Sequence, residues 1–183
     1  PTTLVGGSYL RSVGAGDFNG DGYPDVVAGN GAQTLVWLND GTGSFLPSVP
    51  YTTNHGNACG ELNVVDANED GYLDIVMSSL TSRLWIMIGN GDGTFSNPFL
   101  WVPIGGRAFA SASGDINGDG HVDIVYACQI PDSFRWMLGD GNGGYTAGGS
   151  LPTSAWPTSV HLGDLEGDGD LDAVLSHFTG NDF

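Results

Sequence analysis

The stretch "GDFNGDGYPDVV" (16–27) sets Asp17, Asn19, Asp21 and Asp25 within nine residues, directly ahead of an apolar, strand-like run. Carboxylates packed this closely repel one another. The chain nevertheless repeats the arrangement as "VDANEDGYLDIV" (65–76), "GDINGDGHVDIV" (114–125) and "GDLEGDGDLDAV" (163–174). The leading aspartates, Asp17, Asp66, Asp115 and Asp164, are spaced by 49 residues each time. A fixed period of this size marks a solenoid, a propeller or an array of repeats.

Charge follows the same plan. The 183 residues carry 21 acids against four arginines and no lysine, a formal charge of −17. Nucleic acid and anionic membrane surfaces are excluded as partners, because both are gripped through Lys and Arg. Fifteen of the 21 acids fall inside the four nine-residue segments, so something positive is expected there. No apolar run approaches the roughly 18 residues of a membrane-spanning helix. The opening "PTTLVGGSYL" lacks Met and the shape of a signal peptide, and reads as the start of a mature or excised form. Cys59 and Cys128 sit at different phases of the repeat, which favours buried free thiols over a disulfide or a repeated metal pair.

Around each acidic segment the pattern is β. Short Val, Ile, Leu and Trp runs are bounded by Gly, Asn and Asp clusters, and 31 glycines argue against long helices. "NDGTGSF" (39–45), "GNGDGTF" (89–95) and "GDGNGGY" (139–145) read as hairpin turns, with Phe45, Phe95 and Tyr145 opening the next strand. Each unit is then four strands, A to D, with the acidic loop between A and B. That is the content of one β-propeller blade. The repeats run about 10–58, 59–107, 108–156 and 157–183, the last being partial. The whole chain is expected to be one all-β propeller domain or a segment of one. Closure as four blades, a larger ring (seven blades being the expected number) and a ring completed by self-association all remain open.

The acidic loops offer only hard oxygen ligands, which select Ca²⁺ over metals that favour imidazole or thiolate. Positions 1, 3, 5 and 9 supply side chains and position 7 a backbone carbonyl. The expected ligands are Asp17, Asn19, Asp21, Tyr23 and Asp25; Asp66, Asn68, Asp70, Tyr72 and Asp74; Asp115, Asn117, Asp119, His121 and Asp123; and Asp164, Glu166, Asp168, Asp170 and Asp172. A glycine at position 6 of every loop permits the sharp turn. An EF-hand is excluded, because its bidentate Glu at position 12 is replaced by Ala28, Met77, Tyr126 and Leu175. Glu69 stands where the other loops have glycine, and reads as a non-ligand whose replacement changes little.

The DxNxDGxxD motif, followed by a strand and a later "NDGxGxF", resembles the FG-GAP/VCBS repeat family, which includes the integrin α-subunit propellers. The FG…GAP signature itself is missing, so the chain looks closer to microbial and fungal VCBS-type propellers, some of them lectins and some attached to polysaccharide-active enzymes. The resemblance implies structural calcium, up to four ions, in A–B loops on one face. Ligand binding would then belong to the opposite face.

Catalysis has little to work with. Outside the acidic loops and glycine turns only Glu61, Asp132 and Asp182 remain, unpaired in sequence, and the four histidines show no metal-binding spacing. The expectation is a non-enzyme: a secreted, calcium-stabilised binding module for carbohydrate, with protein adhesion or service as an accessory domain of an enzyme as the alternatives. Trp156, Arg107, His55 and Asn57, in the D–A loops, are the candidate ligand contacts, although Trp156 could instead pack between blades. Calcium sites of extracellular modules bind with Kd of roughly 10⁻⁴–10⁻³ M and would stand largely empty in the cytosol.

Overall fold

The computed structural model describes residues 4, 10–29, 32–52, 59–96, 100–154 and 156–178. It is all-β. Strands β1 (Ser12–Gly16), β2 (Asp25–Gly29), β3 (Gln33–Trp37) and β4 (Val49–Thr52) form the first sheet. The second holds β5 (Cys59–Val65), β6 (Asp74–Ser79), β7 (Arg83–Met87) and β8 (Leu100–Pro103). The third holds β9 (Ala108–Gly114), β10 (Asp123–Gln129), β11 (Asp132–Gly139) and β12 (Tyr145–Pro152). Among the described residues the fourth has two strands, β13 (Pro157–Gly163) and β14 (Asp172–His177), as its shortened repeat leads one to expect.

Every sheet is an antiparallel meander in chain order, the form of a propeller blade. The A–B pairing repeats in register: Gly16 faces Asp25, Val65 faces Asp74, Gly114 faces Asp123 and Gly163 faces Asp172. Each acidic loop is therefore the hairpin connection closing a blade's first two strands. The next hairpin, the glycine turn between strands C and D, returns to the same end of the blade.

The core lies between blades. In β6 and β10 the side chains alternate between the blade before and the blade after, as the two-residue period of a strand requires. Val27 and Val36 of the first blade pack on Leu62, Ile75 and Met77 of the second. Val76, Leu84 and Ile86 of the second pack on Ile124, Tyr126 and Met137 of the third. Val125 and Ala127 of the third pack on Val160 and Leu162 of the fourth. Burying one such Val, Ile or Met contributes roughly 1.5–3 kcal/mol. The equivalent residues Val27, Val76 and Val125 are fully buried, whereas their counterpart Val174 in the fourth blade is 50% exposed.

Position 12 of each loop belongs to this packing. Ala28, Met77 and Tyr126 are buried in strand B, which is why no EF-hand glutamate is found there. Cys128 is a buried free thiol beside the carbonyl of Ile130.

Candidate metal loops and the opposite face

Each acidic loop is wrapped around its first aspartate. Asp21 N donates to Asp17 Oδ1 at 3.1 Å and Gly22 N donates to Asp17 Oδ2 at 2.8 Å. Asp70 and Gly71 do the same to Asp66, and Asp119 and Gly120 to Asp115. This curl needs a positive φ at position 6, and Gly22, Gly71, Gly120 and Gly169 have φ of 86, 89, 91 and 97°. Asn19, Asn68 and Asn117 each donate from Nδ2 to Oδ2 of the acid at position 5, at 2.8–2.9 Å.

The ninth position does something the sequence did not announce. Asp25, Asp74 and Asp123 are completely buried. One carboxylate oxygen of each accepts from its own loop: Phe18 N to Asp25, Ala67 N to Asp74 and Ile116 N to Asp123, at 2.9–3.1 Å. The other accepts from the end of strand C: Asn39 N, Gly89 N and Gly139 N, at 2.7–2.8 Å. A single side chain thus ties the acidic loop to the glycine turn. Burial pushes all three carboxyls above the usual range, Asp74 to about 6, with the charges of the loop's other aspartates adding and the two amide bonds opposing.

The side chain at position 7 completes the link, since the Tyr23, Tyr72 and His121 rings lie over Gly41, Gly91 and Gly141 of the turns. An added Cβ at Gly41 would stand 2.8 Å from the Tyr23 ring, and one at Gly141 would stand 2.6 Å from His121 Nδ1. Glu69, read as a non-ligand, is engaged elsewhere. Its Oε1 lies 2.5 Å from His121 Nδ1 of the next blade. The fourth loop is looser. Asp172 accepts only from Leu165 N among the described residues, and Glu166 cannot make the amide contact of the asparagines.

The donor sets of the first three loops fit a hard divalent cation, with carboxylates, an amide oxygen and a carbonyl; the fourth has Glu166 in place of the amide, and the His121 ring of the third is turned to Glu69. As the side chains stand, no three Asp, Glu, His or Cys groups among the described residues are gathered to hold an ion. An ion would have to draw the carboxylates of positions 1 and 5 together, away from part of their hydrogen bonding.

The opposite end carries the B–C and D–A connections. Of the candidate contacts there, His55 and Asn57 lie outside the described residues. Arg107 is exposed and donates from Nε to the Leu80 carbonyl at 3.3 Å. Trp156 does not pack between blades: it is 57% exposed, with φ of +55°. A bulky residue in that backbone region is an outlier that its surroundings must enforce. Asp132 Oδ1 accepts from Trp156 N at 3.1 Å, and Phe178 N donates to Trp156 O at 2.9 Å. The indole also stacks at a tilt on Phe178, with ring centroids 6.2 Å apart. Phe178 and Asp132, both missed as site residues, follow no repeat and left no pattern to find.

With this geometry in view, the comparisons are consistent. The FG-GAP-like repeat model matches three times, at residues 17–77, 66–126 and 115–175. T-cell immunomodulatory protein of Mus musculus is 27% identical over 90% of the chain, and that of Rattus norvegicus 26% over the same share. The chain spans 32% of the length of these curated relatives. Among solved structures, an Agrocybe aegerita lectin, described for specific recognition of non-reducing terminal N-acetylglucosamine, superposes with a TM-score of 0.58. It is 19% identical, and the match covers 88% of this chain and 45% of the lectin, so the likeness is one of fold. The spacing, the blades and the threefold match together place this chain in the FG-GAP-like repeat family, as a segment of a β-propeller.

Proposed function

We propose that this chain is an extracellular, calcium-stabilised propeller module that binds carbohydrate on the face opposite its acidic loops and carries no catalysis of its own. The observation that carries the reading is Trp156, an exposed indole fixed in a left-handed backbone by Asp132 and Phe178. Such a ring presents a rigid flat surface to a sugar's apolar face, and Asp132 supplies an acceptor beside it. The similarity in fold to a lectin makes a sugar the natural first ligand to try.

Calcium would be held by the oxygens of positions 1, 3, 5, 7 and 9 in each loop, where its charge offsets the carboxylate repulsion. At a tenfold excess over Kd, binding to the folded chain adds about 1.4 kcal/mol per site. Of the three acids outside the loops and turns, Glu61 accepts from Ser111 N and Asp132 from Trp156 N, and Asp182 lies outside the described residues. Protein adhesion is the second reading, favoured by the similarity to T-cell immunomodulatory protein.

A glycan array run beside a panel of extracellular-matrix proteins separates the two. Carbohydrate binding predicts glycan signals that fall about tenfold or more in Trp156→Ala, with the calcium-dependent melt nearly intact. Signals confined to matrix proteins would put adhesion in its place.

A further inference from the structure

We infer that the cleft at the starts of the inner strands of blades one to three is a subsite for the carboxylate of an acidic sugar, an inference that rests on the carbohydrate-binding reading above. The cleft measures about 240 Å³ and is lined by Arg11, Gly60, Leu80 and Phe109. Arg11, Gly60 and Phe109 occupy one repeat position, six residues before the leading aspartates Asp17, Asp66 and Asp115. Here the repeat diverges in chemistry, in contrast to the uniform loops at the other end.

Charge separates along the blades. All fifteen loop acids and the three glycine-turn aspartates gather at one end, and all four arginines lie toward the other. In so acidic a chain an arginine would be expected to find a carboxylate. Yet Arg11 and Arg107 have no carboxylate partner among the described residues. Arg107 spends only Nε, on the carbonyl of Leu80, a residue of the cleft wall. Its two terminal nitrogens keep the geometry that pairs with a carboxylate through parallel hydrogen bonds.

Among the described residues no local acid competes for these guanidiniums. Glu61, next to Gly60, is turned to the following blade, where it accepts from Ser111 N, and Asp132 is taken by Trp156 N. The loop acids are remote. Gly60 of the cleft precedes Asp66 by six residues of extended strand, roughly 20 Å at 3.3 Å per residue, against a Debye length of about 8 Å at physiological salt. An anion at this end is therefore shielded from the charge at the other.

Size and apolar surface narrow the ligand to a sugar acid. The volume falls below the range of about 300–1,000 Å³ typical of drug-sized ligands and suits one pyranose. Phe109, 41% exposed, offers a ring for the apolar sugar face.

Glucuronate and glucose differ only at C6, so calorimetric titration of the calcium-loaded chain with each isolates the carboxylate. Glucuronate is expected to bind roughly tenfold or more tightly than glucose. That preference should shrink in Arg11→Gln and Arg107→Gln and fall with added NaCl, while Arg107→Lys retains part of it. Equal affinity for the two sugars, or a preference that survives both substitutions, overturns the subsite and leaves carbohydrate binding standing. Should neither monosaccharide bind, the subsite falls, and the glycan array alone decides the wider reading. Should Arg11→Gln fail to fold, the glucuronate-to-glucose ratio of the unmutated chain, its salt dependence and Arg107→Gln decide the matter.

Discussion

Glu69 Oε1 and His121 Nδ1 meet at 2.5 Å, joining the acidic loop of the second blade to that of the third. The hydrogen bond to Glu69 is the largest cause raising the His121 pKa above its ordinary value. A histidine whose pKa is raised on folding stabilises the fold fully below its unfolded pKa of about 6.5, and that contribution is lost as pH rises through the folded value. In Glu69→Gln the His121 ring should titrate at lower pH, read by NMR of its ring protons. The accompanying drop in melting temperature should be small, fullest below about pH 6.5, and should fade as pH rises through the raised His121 pKa. An unchanged His121 titration would show that the pair does not form in solution.

Asp74 and Asp70 stand four residues apart in one loop yet should fail differently. Asp74→Ala leaves two buried amides, Ala67 N and Gly89 N, without acceptors, at about 1–3 kcal/mol each. That loss should appear in EDTA as well as in calcium. Asp70 is exposed, so Asp70→Ala should lower stability in calcium and hardly at all in EDTA. Urea unfolding of both variants under both conditions is the measurement. Equal calcium dependence would show that Asp74 acts mainly through an ion.

Gly91 has φ of +74°, and its Cα faces the Tyr72 ring. Gly91→Ala must bear both the left-handed backbone and an overlap with that ring, so a loss of roughly 1–3 kcal/mol is expected. Adding Tyr72→Ala should relieve part of it, because the overlap disappears. Strictly additive losses in the double mutant would argue that the ring does not lie over the turn.

Asp132 is a positioning residue for Trp156. Asp132→Ala removes the acceptor that holds Trp156 N and should weaken glycan binding severalfold, whereas Asp132→Asn keeps a carbonyl oxygen there and should retain most of it. Near-ultraviolet circular dichroism of the indole supplies a readout independent of ligand. If alanine and asparagine behave alike in both assays, the backbone bond is not what sets the ring.

The repeat made the blade architecture legible, because strand periodicity, glycine turns and the 49-residue spacing are all local or periodic signals. The double duty of Asp25, Asp74 and Asp123 was hidden. A buried carboxylate that bonds two backbone amides 21 to 23 residues apart, such as Phe18 and Asn39, reads in sequence like one more loop acid. The partner of Glu69 was hidden for a related reason, since it lies 52 residues away in the next blade. Trp156 was visible as an isolated aromatic in a D–A loop, but its exposure depends on Asp132 and Phe178, residues outside the periodic pattern.

Amide NMR of the calcium-loaded chain, titrated with the strongest glycan from the array, tests the division of labour between the two ends most directly. Shifts should centre on Asp132, Trp156 and Phe178, with the amides of Asp21, Gly22, Asp70 and Gly71 unmoved. Shifts centred on the acidic loops, or the absence of any glycan that binds, would contradict that division.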